Sequence, residues 1–345
     1  MSGSINTLAT DLRNTSKSGF TIVELLIVVV VIAILAAITI VAYNGIQQRA
    51  QTSSLQTTVS QAARKIEVYK VQNGSYPADI ATAGVTLNAD YTGVYVPSAD
   101  MSSYCFSAAT ATMSFSANHN DASAKQGGCV TRTNLVGEWT FNGNANDSSG
   151  NGMNGTVSGA TLTTGQNGQA NSAYSFNGTS NYISLASSTP LNFTTQNFTV
   201  SVWVNLPTLP LTGAWYDVLS STGGGDWSMG VNATAAGVGR LMMTKISQVD
   251  SPTGPTVDQN TWKLLTATYT YGAGPIAAVN YYIDGTLAST VTWNHGGYGN
   301  FAPSTKRIGS RASSGYYRGA MDDLRVYSRT LSAAEIRSLY AAGAQ

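Results

Sequence analysis

Ser18-Gly19-Phe20-Thr21-Ile22-Val23-Glu24-Leu25-Leu26-Ile27, continued to Ala42 by an almost unbroken run of Val, Ile, Ala and Leu, decides how this chain of 345 residues is read. A membrane-length apolar segment carries one carboxylate, Glu24, early in its length. An ionised carboxylate in hydrocarbon costs roughly 2.5–3.5 kcal/mol on insertion scales, so Glu24 needs a partner. The apolar run is longer than a secretory h-region and no small-x-small cleavage site follows it, so the segment is expected to stay on the protein. Arg13 and Lys17 precede it, which sets the short N-terminal part on the cytoplasmic side and points the remainder outward.

Lys17-Ser18-Gly19 before Phe20-Thr21-Ile22-Val23-Glu24-Leu25 resembles the cleavage site of a type IV prepilin. The resemblance implies a leader over 1–19 that a prepilin peptidase removes after Gly19, with methylation of Phe20. It also implies assembly with other pilin subunits by inner-membrane machinery, with Glu24 paired to the Phe20 amine of a neighbouring subunit. An ammonium and a carboxylate that meet inside a bundle relieve each other's desolvation.

Beyond the expected membrane span at 20–43, Leu55, Val59, Ala62, Ile66 and Tyr69 recur at steps of four and three between polar residues, the period of a one-sided helix. The spacing predicts one helix over 20–72, on the order of 80 Å long at about 1.5 Å per residue. Asn73-Gly74 with Pro77 beyond is a stop signal. Gly93–Val96, Ser103–Phe106 and Met113–Ser116 are short β-prone runs between turn residues, so 73–130 is expected to form a small β head on the helical stripe. Cys105 and Cys129 are the only cysteines, and an even pair in an exported segment is expected to be bonded. The bridge would contribute about 3 kcal/mol on the loop-entropy model. It also matches what heads of pilins commonly carry.

Residues 131–345 exceed what a pilin needs and are enough for one all-β domain. The connection Thr131–Asn134 lacks a Gly/Ser or Pro tract, so the two modules are expected to lie close together. Strand-like runs recur at 138–141, 198–205, 262–271 and 280–284. In Phe198–Asn205, Val200, Val202 and Val204 share a face with Phe198, while Trp203 lies with Thr199 and Ser201. Asp284-Gly285 is a two-residue hairpin signal, and Ser332-Ala333-Ala334-Glu335 reads as a capping box before Ile336, Leu339 and Tyr340.

Trp139-Thr-Phe-Asn-Gly-Asn with Asp147-Ser-Ser-Gly, Tyr174-Ser-Phe-Asn-Gly, Phe198-Thr-Val-Ser-Val-Trp-Val, Tyr282-Ile-Asp-Gly and Gly319-Ala-Met-Asp-Asp-Leu-Arg-Val-Tyr resemble, in that order, the laminin G-like or concanavalin A-like jelly roll. The resemblance implies a domain that binds glycans or proteins, often with calcium. The expected fold is thus an α+β pilin, with a long N-terminal helix and a small disulfide-bonded β head, followed by an all-β jelly-roll sandwich.

Hydrolases of this fold need paired carboxylates, yet beyond residue 130 the glutamates are Glu138 and Glu335 alone. No Gly-x-Ser-x-Gly elbow is present, so an enzyme is not expected. The Asn142–Asp147 alternation fails as an EF-hand, because Met153 stands where Glu is required. By resemblance, Asn144, Asp147, Asp322 and Asp323 are the calcium candidates. Trp215, Asp217, Trp227, Trp293, Tyr298 and Tyr316 are the ligand-binding candidates, because sugar rings stack on aromatic faces while carboxylates accept from hydroxyls. Lys306, Arg307, Arg311 and Arg318 form a local cationic stretch suited to acidic glycans. A formal net charge of +1 does not favour nucleic acid as a partner.

The expected protein is a single-pass membrane protein that becomes an extracellular pilus subunit, minor or at the tip, whose lectin-like domain binds a surface glycan or protein. The alternative is a structural pseudopilin for filament initiation, secretion or DNA uptake, its sandwich binding a partner protein.

Overall fold

The computed structural model describes residues 22–98, 101–110, 113–209, 213–235, 237–246, 253–272, 276–294 and 304–343. The chain divides into two units, residues 1–53 and 54–345. In the first, the helix α1 (Ile22–Asn73) begins with Glu24 in its opening turn, where the helix dipole favours an acid. Large apolar side chains from Ile22 to Leu35 are exposed along it. The Thr39 hydroxyl donates back to the Leu35 carbonyl at 2.8 Å, which satisfies a polar group within an apolar stretch. Among the described residues, no helix is long and apolar enough to cross a membrane. Gly19 and Phe20 lie outside the described residues.

In the second unit, the rest of α1 buries Leu55, Val59, Ala62, Ala63 and Ile66, as the periodicity predicts. Tyr69 departs from the expectation: it is half-buried, and Tyr76, just past the helix, fills the core position instead. The helix stops where expected, with Gly74 at φ +81° and its N–H on the Lys70 carbonyl. Strands β1 (Thr92–Pro97), β2 (Tyr104–Ala109), β3 (Ser114–Asn118) and β4 (Asp121–Gln126) form one antiparallel sheet, paired in sequence order. Phe106, Ala108, Phe115 and Ala117 pack with the helical stripe. Cys105 in β2 is bonded to Cys129, as expected.

The sandwich holds β5 (Leu135–Trp139), β6 (Gly155–Ser158), β7 (Thr161–Thr163), β8 (Ala173–Asn177), β9 (Tyr182–Leu185), β10 (Phe198–Asn205), β11 (Trp215–Ser221), β12 (Trp227–Ala235), β13 (Val238–Lys245), β14 (Thr253–Val257), β15 (Trp262–Tyr271), β16 (Ile276–Ile283), β17 (Thr286–Asn294), β18 (Lys306–Ile308) and β19 (Arg318–Tyr327). One sheet runs β17-β16-β15-β10-β19-β8-β7 with β5 also on β19, and the other runs β14-β13-β12-β11-β18-β9-β6. Their facing side chains, including Val200, Val202, Val204, Val218, Met229, Leu241, Val279 and Val326, make one core. Asp284 and Gly285 both take positive φ, 51° and 76°, as the two-residue hairpin between β16 and β17 requires.

Strand β10 is buried on both faces, which the alternation in its sequence did not require. The cause is α2 (Ala333–Gly343), which covers the outer face with Ile336 and Leu339 against Trp203, Leu264, Tyr282 and Tyr327. Burying each of these two aliphatic side chains contributes about 1.5–3 kcal/mol. The predicted capping box forms reciprocally: the Glu335 N–H reaches Ser332 Oγ at 3.3 Å, and the Ser332 N–H reaches Glu335 Oε2 at 2.9 Å.

The same helix meets β1, β2 and β3 of the head. Ser338 Oγ accepts from the Cys129 N–H at 2.6 Å and donates to the Cys129 carbonyl at 2.9 Å, beside the Ser107 hydroxyl at 3.0 Å. A Cβ on Gly128 would collide with the Ser338 carbonyl, so only glycine permits this approach. In the connection, the Thr131 carbonyl takes the Tyr327 hydroxyl at 3.1 Å and Arg132 pairs with Glu138 at 2.9 Å. Head and sandwich are joined through α2 as well as through the chain.

Candidate ligand-binding site

The expected ligand residues separate into distinct environments. Trp215 opens β11, and the next residues, Tyr216 and Val218, enter the core while Asp217 turns to the outer face. There the chain after β18 folds over it: the Asp217 N–H donates to the Gly315 carbonyl at 2.8 Å. Gly315 takes φ +64°, and a Cβ at that position would overlap Asp217 Oδ2. Arg311 Nη2 meets Asp217 Oδ1 at 3.1 Å, and the Ser228 hydroxyl donates to the same oxygen at 2.5 Å. The Arg311 guanidinium carbon lies 5.4 Å from the centroid of the Trp215 ring. Trp215, Arg311, Gly315 and Tyr316 are half-buried, whereas Asp217 is sealed. Burial pushes the Asp217 carboxyl above its ordinary value, with Arg311 and Ser228 working against that shift.

This arrangement changes the role expected for Asp217. Covered by Gly315, it cannot accept from a ligand hydroxyl, and it instead holds Arg311 against Trp215. The half-buried groups that remain there are the Trp215 indole and the Arg311 guanidinium, with Tyr316 next in the chain to Gly315. An aromatic face beside fixed N–H donors is suited to stacking a ring while donating to its oxygens. Sequence reasoning had placed Arg311 in a cationic run and missed Ser228. Arg311 and Asp217 stand 94 residues apart, so no local spacing betrays the pair.

Trp227 is a correction. It is fully buried, its ring centroid 4.9 Å from Phe198 and 5.8 Å from Phe193, and its Nε1–H donates to the Leu191 carbonyl at 3.0 Å. It is a core residue and reaches no ligand. Trp293 falls in β17, with its side chain outside the described residues, as is Tyr298. Register places Trp293 opposite Ala277 and Phe198 opposite Tyr269, so Trp293 belongs to the Phe198 end, away from Trp215.

The cationic stretch is also corrected. Lys306 is fully buried in an ion pair with Asp226, Arg311 is held by Asp217, and Arg307 lies 4.2 Å from the Tyr182 centroid while donating to the Ala312 carbonyl at 2.7 Å. Arg318 alone of the four is exposed.

The calcium candidates split in the same way. Both Asp147 oxygens are committed to the turn: Oδ1 accepts from the Glu138 and Ser149 N–H groups at 3.0 and 2.9 Å, and Oδ2 from the Met153 N–H at 3.0 Å. Asn144 Oδ1 likewise takes the Asn146 N–H at 2.8 Å. With N–H groups aimed at these oxygens, the loop does not fit a cation. Asp323 is held by Arg325 at 3.1 Å, and Arg325 in turn by Glu138 at 3.0 Å. Burial works against the ionised Glu138, yet Arg325 and Arg132 keep its carboxyl below the ordinary value. Asp322 differs. It is buried under the loop after β7, Oδ2 accepts the Gln166 N–H at 3.1 Å, and burial with the neighbouring Asp323 pushes its carboxyl up to about 7. Among the described residues, no group of three or more His, Cys, Asp or Glu could hold a metal, so any such site relies on other oxygen donors.

Residues 14–40 match the prokaryotic N-terminal methylation motif, and residues 177–337 match the concanavalin A-like lectin/glucanases superfamily. The chain is 33% identical over 113 residues to a fimbrial protein of Neisseria meningitidis serogroup A, spanning 33% of this chain and 65% of that one. It is 35% identical over 94 residues to the type IV wide pilus major component PilA4 of Thermus thermophilus, spanning 26% of this chain and 71% of that one. Domain 4 of AbnA, an extracellular arabinanase from Geobacillus stearothermophilus solved with arabinotriose, superposes with a TM-score of 0.46 at 20% identity, over 60% of this chain and all but 2% of that one (98%). At that score the likeness says nothing about ligand.

Proposed function

The chain belongs to the type IV pilin family, and from that premise we propose that it is a minor or tip subunit whose concanavalin A-like domain binds surface glycans or proteins. It is not an enzyme: its relatives are pilins, and the two glutamates beyond residue 130 are locked to arginines, Glu138 to Arg325 at 3.0 Å and Glu335 to Arg329 at 2.5 Å, which leaves no glutamate pair for glycoside hydrolysis. The observation that carries the binding role is the half-exposed Trp215, Arg311 and Tyr316 surface on a sandwich that α2 ties to the pilin head. A domain so attached turns with its subunit and presents one fixed end to an outside surface. Its bulk supports placement at low copy number, because every subunit carrying it would crowd a filament.

Before assembly, residues 20–43 lie in the inner membrane, prepilin peptidase cuts after Gly19, and Glu24 pairs with the Phe20 amine of the next subunit. The proposed calcium site is Asp322, where the ion would supply positive charge to a buried carboxylate. The test of the filament role is the sheared pilus fraction. The chain should be found there with Phe20 as a methylated N-terminus, and Glu24→Ala should deplete it. A chain that stays with the cell membrane in both cases overturns the proposal.

A further inference from the structure

Lys306 opens β18, and Asp226 stands just before β12, 80 residues earlier in the chain. Their side chains are 0% and 1% exposed and in direct ion-pair contact, Nζ on Oδ2. Nζ lies 5.0 Å from the centroid of Trp227, whose ring also packs against Phe193 and Phe198. Burial pushes the Lys306 amine below its ordinary value, and the Asp226 carboxylate acts against that shift. Both carboxyl oxygens already face backbone donors: the Trp227 N–H reaches Oδ1 at 2.8 Å and the Ser304 N–H reaches Oδ2 at 3.1 Å.

Two full charges so completely withdrawn from water return little stability, since apolar residues of equal volume serve as well. What such a pair offers that an apolar pair does not is reactivity. In a dry, aromatic-walled site, moving one proton from ammonium to carboxylate removes both charges, which a low dielectric favours. The result is a neutral amine against a carboxylic acid, held as an intramolecular pair with a high effective concentration. The two backbone N–H groups are placed as donors to an oxyanion.

We propose that the folded chain joins Lys306 Nζ to Asp226 Cγ in an intramolecular amide bond. After the internal proton transfer, the Nζ lone pair adds to Cγ, and the oxyanion at Oδ1 is held by the Trp227 N–H. The Cγ–Oδ2 bond then breaks, and Oδ2 leaves with two of the three ammonium protons as water, the third remaining on the amide nitrogen. Nothing is oxidised or reduced and no co-reactant is needed. Water released into an apolar interior is expelled, which favours condensation over hydrolysis. The bond would close a covalent loop around β12 to β17 and staple β18 to the turn before β12. This reading does not depend on the ligand.

The test is the intact mass of the pilus subunit under denaturing, reducing conditions, for wild type and Lys306→Met. Leader removal and methylation are common to both, so they cancel. Wild type is expected to be lighter by one water than the sequence difference predicts. Proteolysis should then yield one joined fragment holding Asp226 and Lys306, uncut at Lys306. Full mass in wild type, with the two residues in separate fragments, would overturn the proposal and leave an ion pair only. The reading is made on denatured wild-type chain, so it stands even if the variant folds poorly.

Discussion

Ser338→Ala removes one oxygen from the joint between head and sandwich. That oxygen is buried, at a residue 1% exposed, and it serves both the N–H and the carbonyl of Cys129 at 2.6 and 2.9 Å. Alanine leaves a buried N–H without a partner, a loss of about 1–3 kcal/mol, and the carbonyl adds to it, so about 2–3 kcal/mol is expected. For a unit of this size, a loss of 1 kcal/mol lowers the melting temperature by about 2–4 °C. The assay is chemical and thermal denaturation of a fragment beginning at Ser54, paired with limited proteolysis of the connection between Gln126 and Leu135. The variant should be less stable by that amount and be cut faster in the connection. Gly128→Ala, which drives a Cβ into the Ser338 carbonyl, should do the same through overpacking, by about 1–3 kcal/mol. A loss below about 0.5 kcal/mol, typical of surface substitutions, with unchanged cleavage would refute the joint.

Other outcomes follow from the site. Trp227→Ala should cost about 3–5 kcal/mol as a core deletion, read by denaturation. Trp215→Ala should leave stability nearly intact while weakening ligand binding at least about tenfold, or about 1.4 kcal/mol. Asp217 is held above the ordinary carboxyl value in the fold, so as pH rises through and above the ordinary carboxyl range the unfolded chain loses its proton before the native state does. Stability should therefore be greatest at the acid end of that range and fall as pH rises; Asp217→Asn should flatten the slope, and an unchanged slope would count against it. Calcium should raise the melting temperature of wild type and not of Asp322→Asn, checked by thermal scans with metal and with chelator.

Much of this architecture was legible because it rests on local chemistry. The α1 stripe, the Gly74 stop, the Asp284-Gly285 hairpin and the Ser332–Glu335 cap all depend on residues within a turn or two of each other. The fate of the aromatics was not legible. Trp215-Tyr-Asp217 and Asp226-Trp227 look alike as sequence, yet one indole stays at the surface under Arg311 and the other stacks on Phe198. Partners 94 and 80 residues distant decide this for Asp217 and Asp226, and no periodicity carries that information. The cationic run misled for the same reason: Lys306 and Arg311 are counter-ions to buried carboxylates. The double coverage of β10 and the Ser338 contact to Cys129, 209 residues away, depend on where α2 docks, which its own amphipathic pattern does not specify.

The most direct test of the central claim is binding of the Ser54 to Gln345 fragment to arrayed glycans and to host surfaces at physiological salt, with Trp215→Ala as the paired control. Saturable, selective binding that the substitution abolishes is the predicted result. A demonstrably folded fragment that binds neither, or that binds equally well without Trp215, would contradict it.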